Sequence, residues 1–394
     1  MNFPLAHRLD EIEPFHVMEV IKRAAELEKA GRSIIHMGIG EPDFPTAQPV
    51  LDAAARALKD GAMRYTHATG LPALREAIST HYRERFGQEV PAQRIVITAG
   101  ASGALLLACA ALVERDREVL MPDPSYPCNR HFVAAFEGRA TMIPSGPIER
   151  FQLTAAMVRA HWSDNTSGVL LASPSNPTGT SIEPQELAAI AEVVRERGGF
   201  TLVDEIYQGL SYDAPPVSAL ALGDDIVVIN SFSKYFNMTG WRLGWLVVPP
   251  AMLAAVEKLA QNMFICASTI AQQAALACFT PEALAIFESR KAEFKRRRDF
   301  LVPALESLGF DIPVLPDGAF YVYADCSRFT QDAYDADALA RDILEQTGVV
   351  LVPGLDFGTH AAGRYLRVSY ATSMENLIEA VERLRIFLSA RAVS

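Results

Sequence analysis

Two cations and two hydroxyls stand close together in the stretch Asn230-Ser-Phe-Ser-Lys-Tyr-Phe-Asn-Met-Thr-Gly-Trp-Arg-Leu-Gly244. Ser231 and Ser233 precede Lys234, and Arg242 follows eight residues after the lysine. The run before them, Asp225-Ile-Val-Val-Ile-Asn230, reads as a short buried strand. Such groups beside a buried strand end are costly without something to hold. The stretch therefore reads as a clamp for a phosphorylated compound, with Lys234 placed to join its carbonyl carbon as a Schiff base.

Other polar residues stand just past other apolar runs. After Ile95-Val-Ile-Thr98 comes Ala99-Gly-Ala-Ser-Gly103, which opens a helix. Small residues such as Gly100 and Ala101 let free N–H groups approach an anion, and Ser102 adds a hydroxyl; a plain capped turn fits the same residues. Asn176 lies in Ser173-Pro-Ser-Asn-Pro-Thr-Gly179, where two prolines would fix its amide, as they would in any Asn-Pro turn. Phe200-Thr-Leu-Val203 is followed by Asp204, Glu205 and then Tyr207. An ionised aspartate at a buried strand end suits a protonated ring nitrogen. In Tyr365-Leu-Arg-Val-Ser369, alternation puts Arg367 on the face opposite Leu366 and Val368. Its guanidinium could take a carboxylate bidentately, or simply face water.

Three competing motifs fail. The Asp-Glu pair could belong to a nucleotide-binding P-loop protein, but no G-x-x-x-x-G-K-[ST] occurs. Ser231-Phe-Ser-Lys234 fits the S-x-x-K of serine acylases, yet Ser163-Asp-Asn165 comes before it rather than after, and K-T-G is absent. Gly38-Ile-Gly40 could begin a dinucleotide fingerprint, but Asp43 stands where glycine is required.

The elements that must position these residues alternate along the chain. Helical patterns run near 47–60, 71–86, 102–113, 127–137, 183–197, 250–262 and 268–279. Seven β-rich runs, at 94–98, 118–121, 140–143, 168–171, 200–203, 226–229 and 243–248, lie between them. This alternation predicts an α/β fold with a large domain built on a mostly parallel, helix-covered seven-stranded sheet. Ligands of such sheets sit outside the carboxyl ends of the strands. Beyond a long helix from about Pro281 the pattern changes. Strand-like segments at 318–323 and 364–370, with helices near 335–347 and 373–391, predict a smaller α+β domain. An amphipathic helix over 14–30 would join it. The expected division is 45–290 for the large domain and 1–44 with 291–394 for the small one.

Half of the 394 residues are hydrophobic, enough for a large core. The net charge of −11 disfavours a nucleic-acid scaffold, and the basic run Lys291–Arg298 reads as the solvated face of a helix. No stretch approaches the apolar length of a membrane span, and the first ten residues lack a secretory pattern. Five scattered cysteines, an odd number, indicate neither a disulfide framework nor a metal site. A reducing cytoplasm is the expected location.

Taken in order, the motifs resemble those of fold-type I, pyridoxal-phosphate-dependent aminotransferases, the class I/II group that includes aspartate and alanine aminotransferases. The resemblance spans nearly the whole chain: Gly40-Glu-Pro-Asp-Phe44, Tyr65-Thr-His-Ala-Thr-Gly70, Ser173 to Gly179, Val203-Asp-Glu-Ile-Tyr207, Ser231-Phe-Ser-Lys234 with Gly240-Trp-Arg242, and Leu366-Arg-Val-Ser369. It implies that Lys234 carries the cofactor as an internal aldimine and shuttles the substrate's α-proton. Asp204 would pair with the ring nitrogen, and Tyr207 and Asn176 with the ring oxygen. Tyr126 would stack on the ring. Arg242, Ser231, Ser233 and the amides of Gly100, Ala101 and Ser102 would cradle the phosphate. Gly40, Asn176 and Arg367 would meet the substrate. Tyr65 would reach the phosphate of a neighbouring subunit, implying a homodimer with shared active sites.

The implied reaction moves the amine of an L-amino acid to a 2-oxo acid in two stages. The same cofactor residues would also serve β-elimination of a cysteine S-conjugate. A cofactor-sensing regulator is a third class, but the pattern begins near residue 15 and leaves no room for a DNA-binding domain before it. Side-chain specificity is open. No second arginine stands in a recognisable motif, and tyrosine replaces the tryptophan common in aspartate enzymes, so aspartate is in doubt. Phe15, His16, Val17, Ile39 and Tyr65 could form an apolar substrate pocket.

Overall fold

The computed structural model of the chain describes residues 4–14, 17–61, 63–330 and 335–391. Its strands, in chain order, are β1 (Ile35–His36), β2 (Ile95–Thr98), β3 (Glu118–Asp123), β4 (Arg139–Pro144), β5 (Thr166–Ala172), β6 (Phe200–Asp204), β7 (Val227–Ser231), β8 (Gly244–Val247), β9 (Tyr321–Asp325), β10 (Val349–Val350), β11 (Val352–Pro353) and β12 (Tyr365–Ser369). Strands β2 to β8 form one seven-stranded sheet in the order β2-β8-β7-β6-β5-β3-β4. Only β8 runs antiparallel to its two neighbours; the other pairings are parallel.

Strand alternation divides the core between the two faces of this sheet. Val96, Leu170, Leu202, Ile229 and Leu246 pack with the apolar helix Gly100–Leu112 and with Leu253–Met263. Their neighbours Ile97, Leu171, Val203, Val228 and Trp245 face Tyr82, Leu187 and Ile190 from helices Pro72–Phe86 and Pro184–Glu196. With both faces covered, the strands read as continuous apolar runs, which is why all seven are visible in the sequence. Register then aligns their carboxyl ends: Ala172 of β5 stands beside Asp204 of β6, and Asp204 beside Ile229 of β7.

The smaller part is a three-stranded antiparallel sheet, β11-β12-β9, with a separate parallel pair formed by β1 and β10. The pairing of Ile35 with Val349 ties the N-terminal segment to the C-terminal one. A 28-residue helix, Pro281–Leu308, leads into this part. Thr280 caps it by accepting the Ala283 amide at 3.3 Å, and Gly309 ends it in a left-handed conformation.

Several local expectations differ from the structure. The N-terminal helix runs Val17–Lys29; Pro14 precedes it, and Phe15 and His16 lie outside the described residues. The helix expected at 268–279 breaks into an α-helix, Thr269–Ala275, and a 3-10 turn, Leu276–Phe279. Helix Ala155–His161 and the two-residue strands β10 and β11 are too short to show a period. The basic run is not wholly a solvated face, since Arg297 and Arg298 are buried. Arg297 pairs with Asp43 at 2.7 Å and Glu293 at 3.0 Å, and Arg298 with Asp213 at 2.5 Å and Asp299 at 2.7 Å. Asp43 and Asp213 are remote in sequence, so local charge patterning could not show that these cations would be neutralised and buried.

An aromatic cluster supports the polar stretch. Phe232, between Ser231 and Ser233, is fully buried, with its ring 5.0 Å from Trp245, 5.1 Å from Phe236 and 6.0 Å from Phe279. The Trp245 indole donates to Tyr82 Oη at 3.1 Å. Replacing Phe232 with Ala removes the centre of this cluster. It should cost about 3–5 kcal/mol, read as a lowered denaturant midpoint, with Lys234 less well held in the same variant.

Candidate active site

At the carboxyl ends of β5, β6 and β7 lies a cavity of about 310 Å³. Ala101, Ser102, Tyr126, Asn176, Asp204, Tyr207, Ser233, Lys234, Arg242 and Arg367 all reach its wall, as does Gly40. Residues spread over more than 300 positions of sequence thus converge on one space of ligand size.

Lys234 follows β7 by three residues and is partly buried. Its amine donates to the Gly40 carbonyl at 2.5 Å and sits over the rings of Tyr207 and Phe320, at 5.7 and 5.8 Å. Desolvation lowers the amine to about 8, and the positive charges of Arg367 and Arg242 push the same way against the carboxylates of Glu41 and Asp204. A lysine so placed has an appreciable neutral fraction near pH 7, as a nucleophile or base requires.

Asp204 ends β6 and is buried; its Oδ1 accepts the Ile206 amide at 3.0 Å. Burial raises its carboxyl to about 6, while that amide and the Lys234 charge pull it back. A cation brought against this carboxylate would recover much of its lost hydration. Tyr207, three residues on, is buried with its hydroxyl 2.7 Å from that of Tyr321.

The other end is suited to an anion. Gly100 opens the helix Gly100–Leu112 with φ +72°, and a Cβ there would come within 2.8 Å of Arg242 Nη2. Arg242 itself has left-handed backbone, φ 51°, where the chain turns into β8, and its Nη1 donates to Thr239 O at 3.1 Å. A guanidinium therefore abuts a helix N-terminus whose first amides, at Ala101 and Ser102, have no partner inside the helix. Ser233 reaches the cavity wall. Ser231 is placed differently: it is buried behind Ser233, its Oγ 3.0 Å from Ser233 Oγ and 3.1 Å from Leu243 O.

Arg367 is buried rather than facing water. Its Nη1 donates to Asn176 Oδ1 at 2.8 Å and Nη2 to Gly38 O at 2.6 Å. The guanidinium carbon lies over the rings of Tyr321 at 4.5 Å and Phe357 at 4.7 Å, while Nε is buried without a hydrogen-bond partner. Such a cation, held by neutral groups alone, is ready for an incoming carboxylate.

Tyr65 does not join the group. It is 81% exposed, in a separate surface depression with Arg64, His67 and Thr269. Of the residues expected to form an apolar pocket, Val17 and Ile39 do line the cavity. Met18, Ile21, Phe357 and Tyr321 join them without having been anticipated. Tyr321 falls within a segment read as a strand, but only the tertiary fold shows which strand residue faces the site. Phe357 has no local signal, lying in a loop held by residues far away in sequence.

The comparisons agree with this geometry. The family described as aminotransferase class I and II matches residues 32–384. A valine–pyruvate aminotransferase of Mycobacterium tuberculosis is 41% identical over 382 residues, covering 96% of this chain and 97% of that one. The crystal structure of an aminotransferase from Mycobacterium tuberculosis superposes with a TM-score of 0.94 at 40% identity, covering 99% and 100% of the two chains. That of an aspartate aminotransferase from Thermus thermophilus with maleate gives 0.91 at 32% identity, covering 98% and 100%.

The raised Asp204 carboxyl has a consequence for stability. Between the unfolded value near 3.8 and the folded value of about 6 the native state binds the extra proton, so folding is penalised increasingly as pH rises through that window. In cofactor-free protein, Asp204→Asn should therefore raise stability by about 1–3 kcal/mol at pH 7. The gain should shrink as the pH falls toward 4. Thermal or denaturant melts at both pH values check the sign.

Proposed function

The chain belongs to the class I and II aminotransferases, enzymes of the pyridoxal-phosphate fold-type I group, and we propose that in this member Lys234 is the residue that bears the cofactor and moves the substrate's proton. The observation that carries the proposal is the meeting, in one cavity, of an amine lowered to about 8, a buried carboxylate, and two guanidiniums. Their chemistry fits pyridoxal phosphate: Arg242 and the helix start suit its phosphate, Asp204 its ring nitrogen, and Lys234 its aldehyde. When bound, that cofactor supplies the carbonyl that takes up an amine and the ring that withdraws electrons from the substrate's α-carbon.

The protein's own groups do the rest. Asp204, taken out of water, would keep a proton on the ring nitrogen by favouring the charged ring. Tyr207 and Asn176 would offer hydrogen bonds to the ring oxygen, and Tyr126, in the cavity wall, would meet the ring. Gly100, Ala101, Ser102, Ser233 and Arg242 would hold the phosphate, with Ser231 orienting Ser233 from behind. Arg367 takes the substrate's α-carboxylate, with Gly40 and Asn176 beside it. The neutral amine of Lys234 takes the proton from the α-carbon and returns it on the other side of the transfer. One site then serves the amino acid and the 2-oxo acid in turn, a ping-pong scheme.

Two chains per functional unit complete the reading. The exposed Tyr65 then extends to the phosphate site of a second copy. The division at residues 45–290, against 1–44 with 291–394, is supported by the β1–β10 pairing of the two small-domain segments.

For the amino donor we favour an apolar side chain. Val17, Ile21, Ile39 and Phe357 line the cavity, and among the described residues its arginines are Arg242 and Arg367, both already assigned. The likeness to the valine–pyruvate aminotransferase supports the same choice.

Lys234→Ala should abolish the visible absorption of the lysine-bound cofactor and reduce turnover by about 10³-fold or more; full activity in this variant would overturn the assignment. In a panel of donors with pyruvate or 2-oxoglutarate, apolar amino acids should exceed aspartate in kcat/KM by at least about 10-fold. Release of ammonia and pyruvate without an oxo acid would instead mark an elimination enzyme. Arg367→Ala should raise KM for every donor, because all share the α-carboxylate.

A further inference from the structure

Asp123, at the end of β3, lies outside the cavity wall but holds a loop that forms part of it. The carboxylate is buried. Its Oδ2 accepts three hydrogen bonds from one short segment: Thr359 N at 3.0 Å, Thr359 Oγ1 at 3.1 Å and His360 N at 3.1 Å. Two residues along, Ser125 N donates to Phe357 O at 2.9 Å. Oδ1 is buried without a hydrogen-bond partner, and among the described ion pairs none involves Asp123. A Cβ on Gly358 would overlap this oxygen, so glycine lets the loop pass directly over the carboxylate.

A buried carboxylate with no ion-pair partner among the described residues and one oxygen unpaired is a costly fastener. What it fastens connects with the site at both ends. The chain beyond Asp123 continues through Pro124 and Ser125 to Tyr126, in the cavity wall. The fastened loop carries Phe357, whose ring covers one face of the Arg367 guanidinium at 4.7 Å. Tyr321, also over the guanidinium at 4.5 Å, belongs to β9, so Phe357 is the ring supplied by a loop. Without a fixed loop, that face of Arg367 would open to water, and a hydrated guanidinium binds a carboxylate less tightly.

We propose that Asp123 is a positioning residue for the α-carboxylate site, acting through the Thr359 and His360 amides and Phe357 to keep Arg367 dry and oriented. The inference rests on the reading of Arg367 as the carboxylate receptor.

Asp123→Ala holoenzyme should show KM raised about ten-fold or more for every amino donor, with kcat and cofactor affinity changed less than about three-fold. Phe357→Ala should raise KM similarly, and the double variant should be no worse than the poorer single one, since both act on one contact. Hydrogen exchange on the cofactor-free protein should show protection of the Thr359 and His360 amides reduced about ten-fold in Asp123→Ala. If that variant fails to fold, Thr359→Ala, which removes one of the three donors, should give a smaller KM increase of the same kind. Loosened amides with an unchanged KM would overturn the inference, leaving Asp123 a structural fastener only; so would additive effects in the double variant. If Arg367→Ala itself leaves KM unchanged, the carboxylate reading fails and takes this inference with it. If Arg367→Ala raises KM and Asp123→Ala does not, only the role of Asp123 falls.

Discussion

The site depends on removing charges from water before any ligand arrives. Lys234, Asp204 and Arg367 each pay a desolvation cost that the fold itself only partly offsets. The amine is lowered to about 8 and the aspartate raised to about 6 by the same cause, burial, acting on opposite charges. The guanidinium of Arg367 is a different case. It is held instead by two neutral acceptors and two aromatic faces. In the proposed reading, a cationic ring would relieve Asp204 and a substrate carboxylate would relieve Arg367, while Lys234 would join the cofactor's aldehyde.

Holding such groups apart and in place calls for rigid surroundings, and the structure supplies them by different means on different sides. Beneath Lys234 the support is apolar, the Phe232, Phe236, Trp245 and Phe279 cluster. Along the Gly40–Phe44 segment it is ionic: Arg297 is buried against Asp43 and also faces the ring of Phe44 at 5.0 Å. On another side of the cavity the wall comes from hydrogen-bonded loops and from the helix Val17–Lys29. Lys234 and Asp204 are built on the sheet and its core, whereas this other wall is built largely from peripheral segments.

That division also explains what could be read from the residues alone. Strands covered on both faces announce themselves as apolar runs, so the seven strands of the large sheet and the polar residues just past them were legible, including Lys234, Asp204, Asn176 and Arg242. Arg367 was legible as a candidate, but its burial was not, because its partners Asn176 and Gly38 lie 191 and 329 positions away. Arg297 and Arg298 were misjudged for the same reason: their counter-charges come from distant loops. Phe357, Tyr321 and Asp123 owe their places to contacts between segments, and neither periodicity nor motif encodes these. Tyr65 fitted the pattern, yet within one chain it stands apart from the cavity.

The antiparallel strand β8 has one more consequence. Because Ser231 pairs with Gly244 across β7 and β8, the segment between them is a closed hairpin loop that carries both Lys234 and Arg242. Substitutions on the helix Val17–Lys29 can remodel the substrate wall without disturbing that loop. An inserted or deleted residue within it would shift amine and guanidinium against each other at once. The hairpin thus acts as a ruler that sets the separation of the two cations, while the segments around it leave that length untouched.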